Sequence, residues 1–387
     1  MRILARTGSL TLSVLVVLVL TGGAVATDPA LAVSGGHAAS CRAAHPKPTS
    51  PGTKNTMLNG VAVTAGCIAW AVGSYSDGGP ARLLIERFDG RQWTIQHLPV
   101  RSGQLNDVAA LSPDDAYAVG FSGERSLILH WDGKTWQKMA TGVREKHSPL
   151  AAVAVDSVDD AWAVGTTPAR AGLTRTLIVH WNGKHWIEMP SPNGDHQQIN
   201  DLNAVTATSP DDAWAVGLSE GQTEDSLVLH WNGVKWKRVV GLEPGDDSSL
   251  TAVTSLTPRD VWAVGNTHSK HRDSFSTFIE RWNGRKWLRV ASPTPLGDRG
   301  IIMTGVAAES ASQVWAVGWY LTEQKTTQLF MEQWNGVYWQ QDDGPDPSET
   351  NDQFGGIATK GGNTWAVGFF APGRPAAPHL VAFARRV

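Results

Sequence analysis

The chain has 387 residues, with 33 basic against 36 acidic side chains and a formal net charge of −3. No run of Lys or Arg could follow a phosphate backbone, so nucleic acid is not an expected partner. The 40 glycines, 21 prolines and 41% hydrophobic residues exclude bulk disorder, collagen and a multi-span membrane protein. Tryptophan is unusually frequent, since 18 Trp stand against 9 Phe and 4 Tyr, and a repeated motif would produce this excess.

The N-terminus has the pattern of a secretory signal peptide. Arg2 and Arg6 precede an apolar stretch from Leu10 to Leu20, and small residues for cleavage follow at Ala24-Val25-Ala26, with a second candidate site at Ala30-Leu31-Ala32. A membrane anchor is the alternative, but the apolar stretch is shorter than the ~20 residues that span a bilayer. We therefore expect a signal peptide over residues 1–26, a flexible segment over residues 27–39, and a secreted, extracellular mature chain without a membrane span.

An aromatic-Ala-Val-Gly pattern recurs along the rest of the chain. The spacings between its seven aromatic residues are 47, 45, 52, 48, 53 and 50, which is typical of four-stranded propeller blades. Helical repeats of this length would need long amphipathic runs of 3.6-residue period, and the sequence has none. The aromatic residues of the pattern are Trp70, Tyr117, Trp162, Trp214, Trp262, Trp315 and Trp365.

Each copy predicts four short strands. In the fourth copy these are Leu202–Thr208, Ala213–Gly217, Leu227–Trp231 and Lys235–Val239. Asn-Gly or Asp-Gly separates the last two strands in six copies, and this dipeptide predicts a type I′ turn. Because Trp and Val of the pattern point to one face of their strand, we expect them to fill a hollow in the neighbouring blade.

The last copy provides three strands, at Phe354–Thr359, Thr364–Gly368 and His379–Phe383. We expect Ser40–Ser50 to add the missing outer strand by pairing with His379–Phe383, as in propellers whose termini share one blade. The sequence therefore predicts an all-β, seven-bladed β-propeller of four-stranded antiparallel blades, with residues 40–387 as one domain and the ring closed by the N-terminal segment. In oxidising surroundings, a disulfide between Cys41 and Cys67 would join the closing strand to the first blade.

The pattern DDAWAVG…LVLHWNGxxW, clearest at Asp211–Trp236, resembles the repeats of secreted bacterial β-propellers and, more distantly, those of tachylectin-type propeller lectins. The resemblance covers nearly the whole mature chain. It implies the propeller fold, but the motif carries no catalytic residue.

The repeat also accounts for most residues that suggest chemistry. Seventeen of the 18 Trp fall at repeated positions, and Trp319, beside Tyr320, is the exception. Two interpretations of Trp319 stay open, a packed loop anchor and a platform for a ligand. Asp pairs before the second strands are interpreted as turn residues. His130, His180 and His230 share one phase and cannot converge on one metal, while Glu86, Glu280 and Glu332 lie on third strands, far from the axis.

Loops divide between two faces of the predicted propeller. We call the face with the second-to-third-strand loops and the blade-to-blade linkers the variable face, because these segments differ most in length and chemistry. Binding residues on such a scaffold usually lie on loops of this kind. Its longest segments are Thr166–Arg175, Leu218–Asp225, Asn266–Ser274, Trp319–Thr327 and Gln341–Asp352.

At the axial mouth of this face, the innermost strands begin with Asn59, Asn106, Ala151, Asn203, Thr251, Thr304 and Gly355. Asp107 adds one carboxylate, whereas glycoside hydrolysis ordinarily uses two. We therefore predict a non-catalytic binding module with no metal or cofactor. The predicted binding residues are Trp319, Tyr320, Asn59, Asn106, Asn203, Thr251 and Thr304. A glycan or cell-envelope surface is the favoured partner; a glycoside hydrolase or lyase and a scaffold for protein partners are the alternatives.

Overall fold

The computed structural model describes residues 48–51, 54–193, 199–221, 223–242, 244, 247–269, 274–293, 300–322, 326–342, 351–371 and 381–387. All of them lie in the unit Ser40–Val387. The predicted signal peptide 1–26, the segment 27–39 and Cys41 lie outside the described residues, so these predictions and the domain boundaries stay predictions. Within the described ranges, no helix has the length and hydropathy needed to cross a bilayer.

The described elements are antiparallel strands and one 3-10 turn, Arg170–Gly172. The first blade contains β1 (Asn55–Val63), β2 (Ala69–Ser76), β3 (Arg82–Phe88) and β4 (Trp93–Ile95). The second contains β5 (Gln104–Ser112), β6 (Asp115–Ser122), β7 (Arg125–Trp131) and β8 (Trp136–Met139). The third contains β9 (Leu150–Ser157), β10 (Asp160–Pro168), β11 (Thr174–Trp181) and β12 (Trp186–Glu188).

The fourth blade contains β13 (Ile199–Ser209), β14 (Asp212–Glu220), β15 (Glu224–Trp231) and β16 (Trp236–Arg238). The fifth contains β17 (Asp247–Thr257), β18 (Asp260–Ser269), β19 (Ser274–Trp282) and β20 (Trp287–Arg289). The sixth contains β21 (Ile301–Ser310), β22 (Gln313–Leu321), β23 (Thr327–Trp334) and β24 (Trp339–Gln341). A terminal sheet contains β25 (Gln353–Lys360), β26 (Asn363–Phe370) and β27 (Val381–Arg386).

The structure confirms an all-β propeller of four-stranded antiparallel blades, but the predicted number of blades is wrong. The described chain forms six four-stranded blades, not seven, and the terminal sheet has three strands. Of the predicted closing segment Ser40–Ser50, the described residues Pro48, Thr49 and Ser50 are not in a strand, and the rest lies outside the described residues. The terminal sheet instead meets the first blade through side-chain packing, in which the Trp365 ring lies 4.9 Å from Phe88 and 5.3 Å from Trp93.

The repeated Trp residues join neighbouring blades as predicted. The buried Trp214 ring lies 5.1 Å from Trp282 and 5.3 Å, edge to face, from Trp287 of the next blade. Trp70, Trp162 and Trp262 make the same pair of contacts with their following blades. Such aromatic pairs add to the large area that each Trp buries, so these seams are a main source of stability.

The glycine of the repeat is required by a bulge in the neighbouring strand. In the fourth blade the register of β13 against β14 skips Asn203, which brings the inner strand close to Gly217. A Cβ on Gly217 would overlap the carbonyl oxygen of Asp201, and the corresponding glycine of every other sheet meets an inner-strand carbonyl in the same way. Only glycine fits there, which explains why the pattern ends in Gly.

The predicted type I′ turn is wrong. Trp231 pairs with Trp236, so the connection has four residues, and among Asn232 to Lys235 only Gly233 has a positive φ, of 82°. The Asn232 Oδ1 atom accepts hydrogen bonds from the N–H groups of Val234 and Lys235, at 3.2 and 3.0 Å. The asparagine therefore caps a longer loop instead of adopting the left-handed conformation of a type I′ turn.

Second and third strands also extend further than predicted toward the variable face. β14 continues past Gly217 to Glu220, and β15 already begins at Glu224. Much of the segment Leu218–Asp225, expected to be a loop, is therefore a continuous hairpin. The variable face is consequently built on rigid strand ends.

Candidate functional site

Residues at one phase of the repeat line the axis of the propeller. In every sheet, the register between the inner and second strands skips the residue that follows the partner of the repeated glycine. We call the skipped residues the axial ring: Asn59, Asn106, Ala151, Asn203, Thr251, Thr304 and Gly355. They line a central cavity of about 250 Å³, so the structure brings the five predicted ring residues together. They lie within the inner strands and not at their beginnings, because these strands extend further than predicted.

The polar side chains of the axial ring tie neighbouring blades together. Four of them donate hydrogen bonds to backbone carbonyl oxygens of the following blade: Asn59 to Leu105 at 2.8 Å, Asn106 to Leu150 at 2.7 Å, Asn203 to Leu250 at 2.8 Å and Thr251 to Met303 at 2.8 Å. Thr304 differs, because its hydroxyl lies 3.4 Å from the Val317 carbonyl of its own blade. These donors serve blade assembly, and a role of the ring in ligand binding stays a prediction.

Asp107 supplies the only carboxylate among the residues that line the axial cavity. Its Oδ2 atom accepts a hydrogen bond from the Val153 N–H of the next blade at 3.0 Å. Burial raises the pKa of Asp107 to about 7, although the N–H groups of Val153 and Val108 act in the opposite direction. Gly60 makes room for this side chain, since a Cβ there would lie 2.9 Å from Asp107 Oδ1. A general acid needs such a pKa, but the lining residues provide no second carboxyl group for hydrolysis.

Trp319 and Tyr320 lie near the end of β22, on the variable face. Both side chains are half-buried. The Tyr320 hydroxyl donates to Gln328 Oε1 at 2.5 Å, and its ring packs against the core between the fifth and sixth blades. Trp319 pairs across the sheet with Ile302 and Leu329. The Trp319 side chain is therefore partly buried and partly exposed to solvent.

A cluster of exposed apolar residues lies beside Trp319 and Tyr320, at the boundary of the fifth and sixth blades. Phe275 and Leu321 are each 42% exposed. Both residues lie next to Gly300. The Gly300 carbonyl accepts the Leu321 N–H at 3.2 Å, and a Cβ on Gly300 would lie 3.5 Å from the Phe275 Cβ atom. His268 stacks on Phe275 with ring centroids 4.6 Å apart. We call Phe275, Gly300 and Leu321 the apolar patch.

The repeated histidines have a structural role that the sequence reasoning missed. The Nε2 atom of His230 donates to Asp212 Oδ1 at 2.7 Å, and the His230 ring stacks on Trp214 with ring centroids 4.1 Å apart. Burial would raise the pKa of Asp212, but hydrogen bonds from His230 and Thr208 lower it below its ordinary value. The same arrangement recurs at His130 with Asp115 and at His180 with Asp160. The second Asp of each pair therefore hydrogen-bonds a His side chain on the third strand, in addition to its predicted role in the turn.

Three third-strand glutamates are fully buried at blade seams. Glu280 Oε1 accepts the Leu242 N–H at 3.0 Å, Glu86 Oε2 accepts the Thr49 N–H at 2.8 Å, and Glu332 Oε2 accepts the Ser292 hydroxyl at 2.7 Å. Burial raises their pKa values to about 7 for Glu86 and Glu280 and about 8 for Glu332. These groups lie away from the axial cavity and contact the chain between blades.

Metal ligation has no support in the described ranges, where no three His, Cys, Asp or Glu side chains come together to hold an ion. Cys67 lies in the turn after β1 with a positive φ of 69°. Its proposed partner Cys41 lies outside the described residues, so the disulfide stays a prediction.

A pocket between the first blade and the linker that follows it was not predicted from the sequence. It measures about 350 Å³ and is lined by Tyr75, Arg82, Leu83, Ile95, Gln96, His97, Leu98, Val100 and Arg101. This volume is within the usual range of about 300–1,000 Å³ for ligand sites, whereas the axial cavity is smaller. The sequence feature that distinguishes this pocket is Leu83, which stands where the next four blades have Ser or Thr.

No protein-family model matches the chain, and no curated protein matches it. Solved propellers are similar in structure. The structure of YCF48 bound to D1 peptide has a TM-score of 0.52 and 16% identity, over 88% of this chain and 95% of that one. The WD40 β-propeller domain of Doa1 has a TM-score of 0.54 and 10% identity, over 86% and 94%. An Aleuria aurantia lectin in complex with Fucalpha1-6GlcNAc has a TM-score of 0.46 and 16% identity, over 76% and 96%. The similarities to YCF48 and to the Doa1 domain support the propeller fold alone, and the similarity to the lectin is too low to support a conclusion.

Proposed function

We propose that the chain is an exported, non-catalytic binding module whose variable face binds a glycan or another component of the cell envelope. The observation that carries this proposal is the apolar patch beside Trp319 and Tyr320. Aromatic side chains offer apolar area with few rotamers to immobilise, and they suit the C–H faces of sugar rings. His268 and Gln328 lie close by and add polar groups that could orient hydroxyls.

The rigidity of the strand ends supports the same proposal. Phe275 lies on β19 and Leu321 on β22, within hairpins whose pairing extends to Ser269–Ser274 and Leu321–Thr327. A site on such elements needs little ordering when a ligand binds, which lowers the entropic cost of association. The donors of the axial ring, by contrast, are used between blades, and its cavity is small.

A glycan array on the mature protein tests the proposal, followed by titration of any hit against Phe275→Ala and Trp319→Ala. Ile187→Ala is the matched control, because Ile187 is 44% exposed but lies on the outer strand β12. We expect Phe275→Ala, in the apolar patch, and Trp319→Ala, beside it, to weaken binding and the control to have no effect. Absence of glycan binding, or equal loss in all three variants, would contradict the proposal and favour a scaffold for protein partners.

The enzyme alternative depends on Asp107, whose raised pKa and axial position are the features a general acid would need. Its hydrogen bond to Val153 gives it a structural role as well. Turnover of a glycoside substrate that required Asp107 would favour this alternative.

A further inference from the structure

The pocket between the first blade and its following linker has a lining unlike that of the apolar patch. Its polar rim consists of Arg82, Arg101, His97 and Gln96, and no acidic side chain lines it. Leu83, Ile95, Leu98 and Val100 form its apolar wall, and Tyr75 stands opposite Arg82 on the neighbouring strand. The pocket therefore combines cationic groups with an apolar surface.

Leu83 lacks a hydrogen bond that fixes the linker in the next two blades. At the same phase in the next two blades, a side-chain hydroxyl holds the blade-to-blade linker close: Ser126 donates to Ser148 O at 2.5 Å, and the Thr176 hydroxyl hydrogen-bonds Ser191 Oγ at 2.6 Å. Leu83 has no hydroxyl for such a bond. The linker is held instead at its two ends, by the Gln96 N–H to Ile85 O and by the Leu83 N–H to Arg101 O, each at 2.9 Å.

The two arginines line the same pocket with little compensating charge. Arg82 forms a bridge pair with Ser102, the residue after Arg101, so the two guanidinium groups extend from adjacent chain segments. Among the described residues, the acid beside them is Asp77, whose Oδ2 atom lies 3.9 Å from Arg82 with both side chains well exposed. An exposed ion pair at this distance contributes little, so the rim retains a positive charge that an anion would neutralise.

The corresponding arginine of the second blade is used differently. Arg125 occupies the phase of Arg82, but its Nη1 atom donates to the Arg144 carbonyl at 2.8 Å. Arg82 instead lies over the Tyr75 ring, with its Cζ atom 5.9 Å from the ring centroid. This distance is within the range of about 6 Å for a cation–π contact, which keeps the guanidinium beside the pocket without using its N–H donors.

We propose that this pocket binds an acidic sugar, in which a carboxylate or phosphate group lies against Arg82 and Arg101 and the sugar ring packs against Tyr75 and the apolar wall. Guanidinium groups recognise planar carboxylate and phosphate oxygens through paired N–H donors. The pocket volume of about 350 Å³ admits a sugar residue with its charged substituent. This inference rests on the proposed function, since it names the ligand chemistry of a second site on the same variable face.

The test titrates the mature protein with glucuronic acid, glucose 1-phosphate and glucose, and follows binding by NMR. We expect the acidic probes to bind and glucose to bind at least about tenfold more weakly, because glucose cannot make charge-assisted hydrogen bonds. The tighter of the two acidic probes identifies whether carboxylate or phosphate is the natural group. Equal binding of glucose and the acidic probes would overturn the proposal.

Arg101→Gln and Arg82→Gln test the residues directly. Each should weaken binding of the acidic probe by about tenfold or more, since each removes a charged donor. Arg125→Gln is the matched control and should leave binding unchanged. If the pocket variants behave like Arg125→Gln while all proteins keep their circular-dichroism spectra, the pocket is not the site.

The outcomes also separate the two proposals. Binding of a neutral glycan that depends on Phe275 but not on Arg101 would retain the proposed function and reject the acidic-sugar pocket. Binding of glucose 1-phosphate that depends on Arg101, with no glycan of the array bound, would retain the pocket and reject the broader function.

Discussion

Replacing Glu280 by Gln should change how stability depends on pH. The side chain is fully buried, Oε1 accepts the Leu242 N–H at 3.0 Å, and Oε2 is buried without a hydrogen-bond partner. Burial raises the pKa of Glu280 from 4.5 to about 7, although the bond from Leu242 and the charge of Arg289 oppose the rise. The native state therefore retains a proton that the unfolded chain has already released.

The direction and size of the effect follow from this difference. Stability from Glu280 is fully present below pH 4.5 and is lost as the pH rises through about 7, because the unfolded state gives up the proton first. At about 1.4 kcal/mol per pH unit, the loss is about 3 kcal/mol of unfolding free energy. Gln keeps the acceptor for Leu242 and does not titrate, so Glu280→Gln should lack this contribution.

Denaturant unfolding of the wild type and of Glu280→Gln at pH 5 and pH 8 measures this contribution to the unfolding free energy. We expect the stability difference between the two pH values to be about 2.5 kcal/mol smaller in Glu280→Gln than in the wild type, because part of the effect lies below pH 5. Glu188→Gln, at an exposed position on β12, is the control and should follow the wild type. If Glu280→Gln and the wild type differ by the same amount at both pH values, Glu280 does not titrate as its burial requires.

Three further predictions concern the core, the axis and the disulfide. Trp214→Ala should lower the unfolding free energy by about 3–5 kcal/mol, because it empties the seam between the fourth and fifth blades, whereas Trp319→Ala should leave the melting temperature nearly unchanged; equal melting temperatures would make Trp319 a core anchor. Asp107→Asn should keep the fold, since Asn also accepts the Val153 N–H, and no glycoside hydrolysis should depend on Asp107; a substrate turned over by the wild type but not by this variant would reverse that conclusion. Mass spectrometry of the unreduced protein should find Cys41 and Cys67 oxidised, and alkylation of either thiol before reduction would argue against the bond.

Parts of the candidate site were accessible from the sequence. The sequence places Asn59 and Asn203 at the axis because they belong to the predicted innermost strands, and it singles out Trp319 because this residue falls outside the repeat. Their interactions were not predictable in the same way. Asn59 donates to a carbonyl 46 residues further along the chain, and nothing local indicates that this donor is already used.

The basic pocket shows the same limit. Arg82 and Arg125 occupy the same phase, yet one lies beside an open pocket and the other donates to a linker carbonyl. The difference lies in the following linker, since the linker after the second blade offers the Arg144 carbonyl to Arg125. The course of a linker is not visible in a pattern that aligns only the strands.

The amino-acid sequence by itself determined the propeller class, the positions of the strands and the face that each strand buries, because these depend on alternation and turn residues within a few positions. Only the tertiary structure decided that six blades have four strands, that Glu332 is buried against Ser292, 40 residues away, and that Arg82 and Arg101 line one pocket. The physical reason is that these features depend on which segment of a neighbouring blade lies beside each side chain. That neighbour is set when the sheets pack around the axis, and it is not encoded within any single repeat.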